Sequence, residues 1–160
     1  MKITLSEKKL SQIKADYELI FIVDKNLNNE FIKDQNEFSF YDYKGSGVLS
    51  LNEQKRVYVG IKDLSLSSLR DGVASGLRAI SAFKISSVKM ASYFRDDADK
   101  MSFLALSEGA ILGLYSYQKY KREKKEQNIK ELIISTQSYT KQKPKNKKAL
   151  LGLEYGTIIA

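Results

Sequence analysis

The chain has no cysteine and no histidine among its 160 residues, and only one proline. The missing cysteine removes disulfides, thiolate catalysis and thiolate metal sites, and it fits a reducing compartment. The missing histidine removes the commonest general base and the commonest metal ligand, so no histidine-containing triad can be built. Any metal site would have to use carboxylates and carbonyls alone. Long apolar runs are also lacking. The start, MKITLSEKKL, has no apolar core of the signal-peptide kind, and no run is long enough to span a bilayer. These absences lead us to expect a cytoplasmic protein with no membrane partner. A chain of this length suits one domain, which can bury about 70% of its unfolded surface without covalent staples.

What is present in excess is positive charge, and it is localised. The formal net charge is +8. Residues 119–148 hold eleven Lys/Arg against three Glu, while the remainder holds sixteen of each sign. Basicity confined to one stretch suits either a solvated lysine-rich linker or a surface for nucleic acid. Tyr115, Tyr117 and Tyr120 lie beside this run. Lys119, Lys121, Arg122, Lys124 and Lys125 are therefore the candidate nucleic-acid contacts, with the tyrosines available to stack on bases. The simpler reading packs the tyrosine rings and leaves the lysines in water.

Periodicity outlines an α/β domain. Ile3 and Leu5 suggest a first strand, and YELIFIV (17–23) a buried one. DKNLNN (24–29) is turn chemistry. Residues 31–44 are mixed, with Phe38, Phe40 and Tyr43 as candidate core. Residues 48–51 and 56–61 read as a hairpin. Ser65, or Asp63, caps a helix whose Leu66, Leu69, Val73, Leu77 and Ile80 share one face. Residues 86–93 form another strand, 96–100 a polar connection, and 103–115 a second helix. Leu104, Glu108, Ile111, Leu112 and Tyr115 lie on one of its sides, and Ala105, Gly109 and Gly113 on another. IKELIIS (129–135) is a last strand. A mid-helix glycine costs about 1 kcal/mol against alanine, so the glycines of both helices imply close approach to a neighbouring element. Strands alternating with helices predict a mixed sheet flanked by helices.

Three features could carry chemistry. Gly45-Ser46-Gly47 lacks the third glycine and the helix start of a dinucleotide fingerprint, so it reads as a turn. Asp96, Asp97 and Asp99 lack the glycine and distal glutamate of a calcium loop. Glu108 is the best single carboxylate, and a salt bridge or helix-end contact suits it better than catalysis.

The block ALSEGAILGLYSYQKYKREKK (105–125) resembles the N-terminal domain of the leucyl aminopeptidases, the cytosol aminopeptidase family. Glu108-Gly109, Leu112-Gly113, Tyr115, Tyr117, Tyr120-Lys121 and the strand at 129–135 follow that family's pattern. VYVGIKDLSLSSLRDGVASGLRAI (57–80) is similar to its strand, turn and glycine-containing helix. EYGTIIA at the end resembles the start of its linker helix. The resemblance implies a single macro-domain-like α/β domain over residues 1–136. Residues 137–160 would then be a basic linker and the beginning of a helix leading to a catalytic domain that these residues do not include, so that the chain is a fragment. It further implies that the parent is a dinuclear zinc or manganese aminopeptidase, hexameric, with both metals in the C-terminal domain. The family's NTDAEGR-type motif is missing here, so the resemblance assigns no catalytic, cofactor-binding or metal-binding residue to this chain. DNA is an added partner for some members. The rival expectations are a nucleic-acid-binding module using 119–148, and a macro-like domain for a nucleotide ligand such as ADP-ribose.

Overall fold

The computed structural model of the chain describes residues 1–28, 32, 36–93, 99–115 and 127–136. Six strands form one sheet: β1 Lys2–Ser6, β2 Tyr17–Val23, β3 Val48–Leu51, β4 Arg56–Ile61, β5 Ser87–Ala91 and β6 Glu131–Ser135. Their spatial order is β1-β6-β5-β2-β4-β3. Only the β3–β4 pair is antiparallel, and the other four pairings are parallel. β2 lies near the middle and has six of its seven residues buried. That explains its apolar run from Leu19 to Val23, since a central parallel strand meets no solvent on either face, while the buried Glu18 lies 3.8 Å from Lys89. The hairpin joining β3 to β4 turns at 52–55, where Lys55 takes a φ of 54°.

Helices α2 Leu66–Ile80 and α3 Asp99–Leu114 lie on one face. Leu69, Val73, Leu77 and Ile80 of α2 share a core with Leu19, Phe21, Val57 and Val59, and with Phe103, Leu106 and Ala110 of α3. Ser65 caps α2, its hydroxyl accepting the Ser68 N–H. Leu66, at the first turn, is 36% exposed and lies outside that core.

The expectation of close approach at the glycines holds in detail. A Cβ at Gly72 or Gly76 would strike side chains of β2 and β4, at 2.6 Å from Ile61 Cγ2 and 2.7 Å from Leu19 Cδ1. A Cβ at Gly109 or Gly113 would strike the α2 backbone, at 2.2 Å from Arg70 O and 2.6 Å from Ala74 Cα. One helix thus uses glycine to approach the sheet, the other to approach a helix.

On the opposite face a short helix, α1 Asn36–Phe40, covers β2 and β4 with a smaller core of Ile20, Ile22, Phe38, Leu51 and Tyr58. Here the expected core residues divide. Phe38 is buried and Tyr43 packs on it, but Phe40 is 82% exposed. Two residues apart on a helix means about 200° of rotation, so Phe38 and Phe40 cannot both face the sheet.

The expected bounds of α3 and of two strands are corrected. α3 begins at Asp99, so part of the expected polar connection is helical. The Leu104, Glu108, Ile111, Leu112 and Tyr115 side of α3 is its more exposed one, with Leu112 49% and Tyr115 67% exposed. The strands at 86–93 and 129–135 are shorter than expected, at Ser87–Ala91 and Glu131–Ser135.

Candidate functional site

Parallel α/β sheets bind ligands at the carboxyl ends of their strands, where the chain leaves neighbouring strands in opposite directions. Here that point lies at β2, which has β4 on one side and β5 on the other. The β2–β5 pairing stops at Leu19 and Met90. Beyond it Tyr93, just past β5, reaches β2 with its side chain: the Phe21 N–H donates to the Tyr93 hydroxyl at 3.1 Å. The two rings pack with centroids 5.2 Å apart, and Tyr93 is only 2% exposed. The crevice is therefore filled by a side chain of the protein. Tyr93 was not singled out in the sequence, because nothing local distinguishes a plugging tyrosine from any tyrosine that ends a strand.

Beside it, between the end of β4 and the first half of α2, is an open cleft of about 230 Å3. Gly47, Val48, Gly60, Lys62, Ser68 and Asp71 are among its lining residues. Gly47 brings the Gly45-Ser46-Gly47 segment to its edge. Both glycines have positive φ, 81° and 74°. A Cβ on Gly60 would meet Gly45 O at 2.3 Å, so only glycine in β4 lets this turn lie against the strand. The Gly47 carbonyl accepts the Gly60 N–H at 2.8 Å and the Tyr43 hydroxyl at 3.1 Å. Burial pushes the Tyr43 hydroxyl up to about 12, so it remains a donor. These contacts make the segment a turn clamped on β4, as its composition suggested. The hydroxyl of Ser68 donates to Asp63 Oδ1 at 2.7 Å, and the hydroxyls of Ser65 and Ser68 hold the Asp63 carboxyl down to about 2. The cleft is small and mixed in charge, and Asp63, the carboxylate to which Ser68 donates, is held too acidic to serve as a general base.

The other ionisable groups hold elements together. Glu108 Oε2 receives Arg70 Nη2 at 2.6 Å and Nε at 2.8 Å, so the carboxylate is the salt bridge the sequence suggested, joining α3 to α2. Lys89 donates to the carbonyls of Leu10 and Ile13 at 3.1 and 3.0 Å and lies 3.8 Å from Glu18. It thereby fastens the Leu10–Gln12 turn to the sheet. The Asp16 carboxylate accepts the backbone N–H groups of Ser86 and Ser87 at 2.7 and 3.0 Å, and both hydroxyls. Those donors, the backbone ones first, hold its carboxyl below the ordinary value. The clamp joins the starts of β2 and β5 and carries no local sequence signature.

Among the described residues no group of three or more carboxylates is close enough to share a metal ion, and no helix is long and apolar enough to cross a membrane. Asp96 and Asp97 lie outside the described residues, as do Tyr117, Tyr120, Lys119, Lys121, Arg122, Lys124, Lys125 and all of 137–160. Tyr115 is described and stands exposed at the end of α3.

No family model matches the chain. It is 38% identical over all 160 of its residues to a probable cytosol aminopeptidase of Campylobacter jejuni subsp. jejuni serotype O:2, covering 33% of that protein. It is 29% identical over 141 residues to a probable cytosol aminopeptidase of Wolinella succinogenes, covering 29% of it. The chain thus spans about a third of the length of the curated relatives it matches. Among solved structures, a mutant of tomato leucine aminopeptidase aligns with a TM-score of 0.68 at 15% identity, over 98% of this chain and 35% of the other. The bottromycin maturation enzyme BotP in complex with Mn aligns with a TM-score of 0.59 at 18% identity, over 88% of this chain and 29% of the other. These structural likenesses concern the fold, a single mixed-sheet α/β domain similar to the N-terminal domain of leucine aminopeptidase.

Proposed function

Since this chain is related along its whole length to the N-terminal part of the cytosol aminopeptidases, we propose that it is the non-catalytic N-terminal domain of such an enzyme, with a role in assembly or regulation. The observation that carries the reading is the asymmetry of the match: all of this chain aligns with a third of its relative. The chemistry of the described residues agrees with it. The chain contains no histidine or cysteine, Glu108 is paired with Arg70, Asp16 accepts the Ser86 and Ser87 amides, and no group of three or more described carboxylates is close enough to share a metal ion. We place the domain over residues 1–136 and read 137–160 as the linker towards a catalytic domain in the same polypeptide. The whole protein would be a cytoplasmic, oligomeric, metal-dependent enzyme releasing N-terminal residues from peptides.

The test is direct. The purified 160-residue chain, given manganese or zinc and a leucyl peptide, is expected to release no leucine. Turnover at the rate of the full-length relative would overturn the proposal. The reading frame beyond Ala160 is expected to continue into a domain rich in carboxylate ligands, and a stop codon there would be equally damaging.

A further inference from the structure

Tyr93 fills the opening between β2 and β5, but the cleft beside it, at the carboxyl end of β4, stays open. Its two walls differ in chemistry. The strand wall is apolar, with Val48, Val59 and Ile61, and Val48 is 40% exposed. The helix wall is polar, with Ser68, Asp71 and Ser75. These three recur at steps of three and four and so share one flank of α2. Gly72, between them, lets the helix come down on the strand, since a Cβ there would lie 2.6 Å from Ile61 Cγ2.

The cleft also carries one charge of each sign. Lys62, just past β4, and the Asp71 carboxylate both line it. Among the described residues neither is held in an ion pair. Asp63, the acid next to Lys62, is committed to α2: it accepts the Ser65 N–H at 3.0 Å and the Ser68 hydroxyl at 2.7 Å. A polar flank of a helix is by itself ordinary surface. Here it faces an apolar wall across a volume of about 230 Å3. Pockets for drug-sized ligands hold roughly 300–1,000 Å3, so the occupant of this one is smaller.

We propose that the cleft binds a free α-amino acid with an aliphatic side chain. The ligand's carboxylate meets Lys62, its ammonium group meets Asp71, and its side chain lies on the wall of Val48 and Ile61. Both charges of the cleft are then answered by one small molecule. Phosphate or a simple carboxylate would answer Lys62 but bring a second negative charge to Asp71, and that repulsion selects against them. The claim rests on the cleft alone and stands whether or not the aminopeptidase reading does.

Titration of the isotope-labelled 160-residue chain with L-leucine, followed by amide chemical shifts, tests it. Saturable shifts at Lys62, Asp71 and Ser75 are expected, with a Kd of about 1 mM. Isocaproate, which lacks the amine, and isopentylamine, which lacks the carboxylate, should each bind about tenfold more weakly, because each loses a hydrogen bond between charged groups. Asp71→Asn should weaken leucine but not isocaproate, and Lys62→Gln should weaken leucine but not isopentylamine. Lys62 and Asp71 are exposed, so these changes leave the core untouched. Ser75→Leu, which puts an aliphatic chain into the cleft, should abolish binding while circular dichroism stays that of the wild type. The absence of saturable shifts at about ten times the expected Kd would overturn the proposal. So would leucine affinity unchanged by Asp71→Asn, or tighter binding of inorganic phosphate than of leucine, which would assign the cleft to an anion.

Discussion

Replacing Gly109 with alanine sets two effects of opposite sign against each other. Helix propensity favours alanine by about 1 kcal/mol. Packing opposes it, because the new Cβ would lie 2.2 Å from Arg70 O, 2.9 Å from Arg70 C and 2.6 Å from Val73 Cγ1. The first two atoms belong to the α2 backbone and cannot rotate away. Restoring ordinary contact at 3.4 Å or more requires the helices to part by about 1 Å. That separation strains the Arg70–Glu108 pair and the Arg78 Nε donation to Gly113 O at 2.9 Å, which bridge the same interface. Overpacking costs typically about 1–3 kcal/mol and more where backbone must move. With the propensity gain deducted and the bridging contacts weakened, the net expectation is a loss of about 2 kcal/mol. For a domain of this size that lowers Tm by about 4–8 °C. Urea denaturation followed by circular dichroism, with a thermal melt in parallel, measures it. Gly113→Ala should behave alike, since its Cβ meets Ala74 Cα at 2.6 Å. If Gly109→Ala instead raises Tm by the few degrees that propensity alone gives, the close approach of α2 and α3 is wrong.

Tyr93→Phe removes the acceptor of the buried Phe21 N–H and should cost about 1–3 kcal/mol by urea denaturation; an unchanged midpoint would show that the hydroxyl does not fasten the β2–β5 opening. Asp16 has a lowered carboxyl in the folded state, so its contribution is present above the unfolded value near 3.8 and is lost as pH falls through the folded one. Wild-type stability should therefore drop more steeply than that of Asp16→Ala as pH falls below about 4, and parallel curves would deny the clamp. Phe38→Ala should cost about 3–5 kcal/mol, as for a buried aromatic, while Phe40→Ala should stay within about 0.5 kcal/mol. Equal losses at the two positions would mean that α1 is wrongly oriented.

Much of the fold is local and was readable along the chain. The run 17–23 reads as a buried strand, and the spacing from Leu69 to Ile80 as one helical face. Charge localisation, the missing histidine and cysteine, and the kinship of the 57–80 and 105–125 blocks needed no coordinates. Even close packing was legible, because a mid-helix glycine is an energetic cost that some neighbour must justify. Which neighbour was not legible. Gly72 and Gly76 face side chains of the sheet, whereas Gly109 and Gly113 face a helix backbone, and the same residue type serves both.

Periodicity fails when a helix has apolar residues on all sides, as α3 does, since no polar arc marks the solvent. Only the positions of α2 and the sheet decided that Phe103, Leu106 and Ala110 turn inward while Leu112 and Tyr115 turn out. The same holds for Phe38 over Phe40, for Tyr93 in the β2–β5 opening, and for β1 beside β6, which joins Thr4 to Glu131 across 127 positions of sequence. Local spacing determines which residues share a face, because helix and strand geometry act over a few residues. What that face meets depends on contacts distant in sequence, and those exist only once the chain has folded.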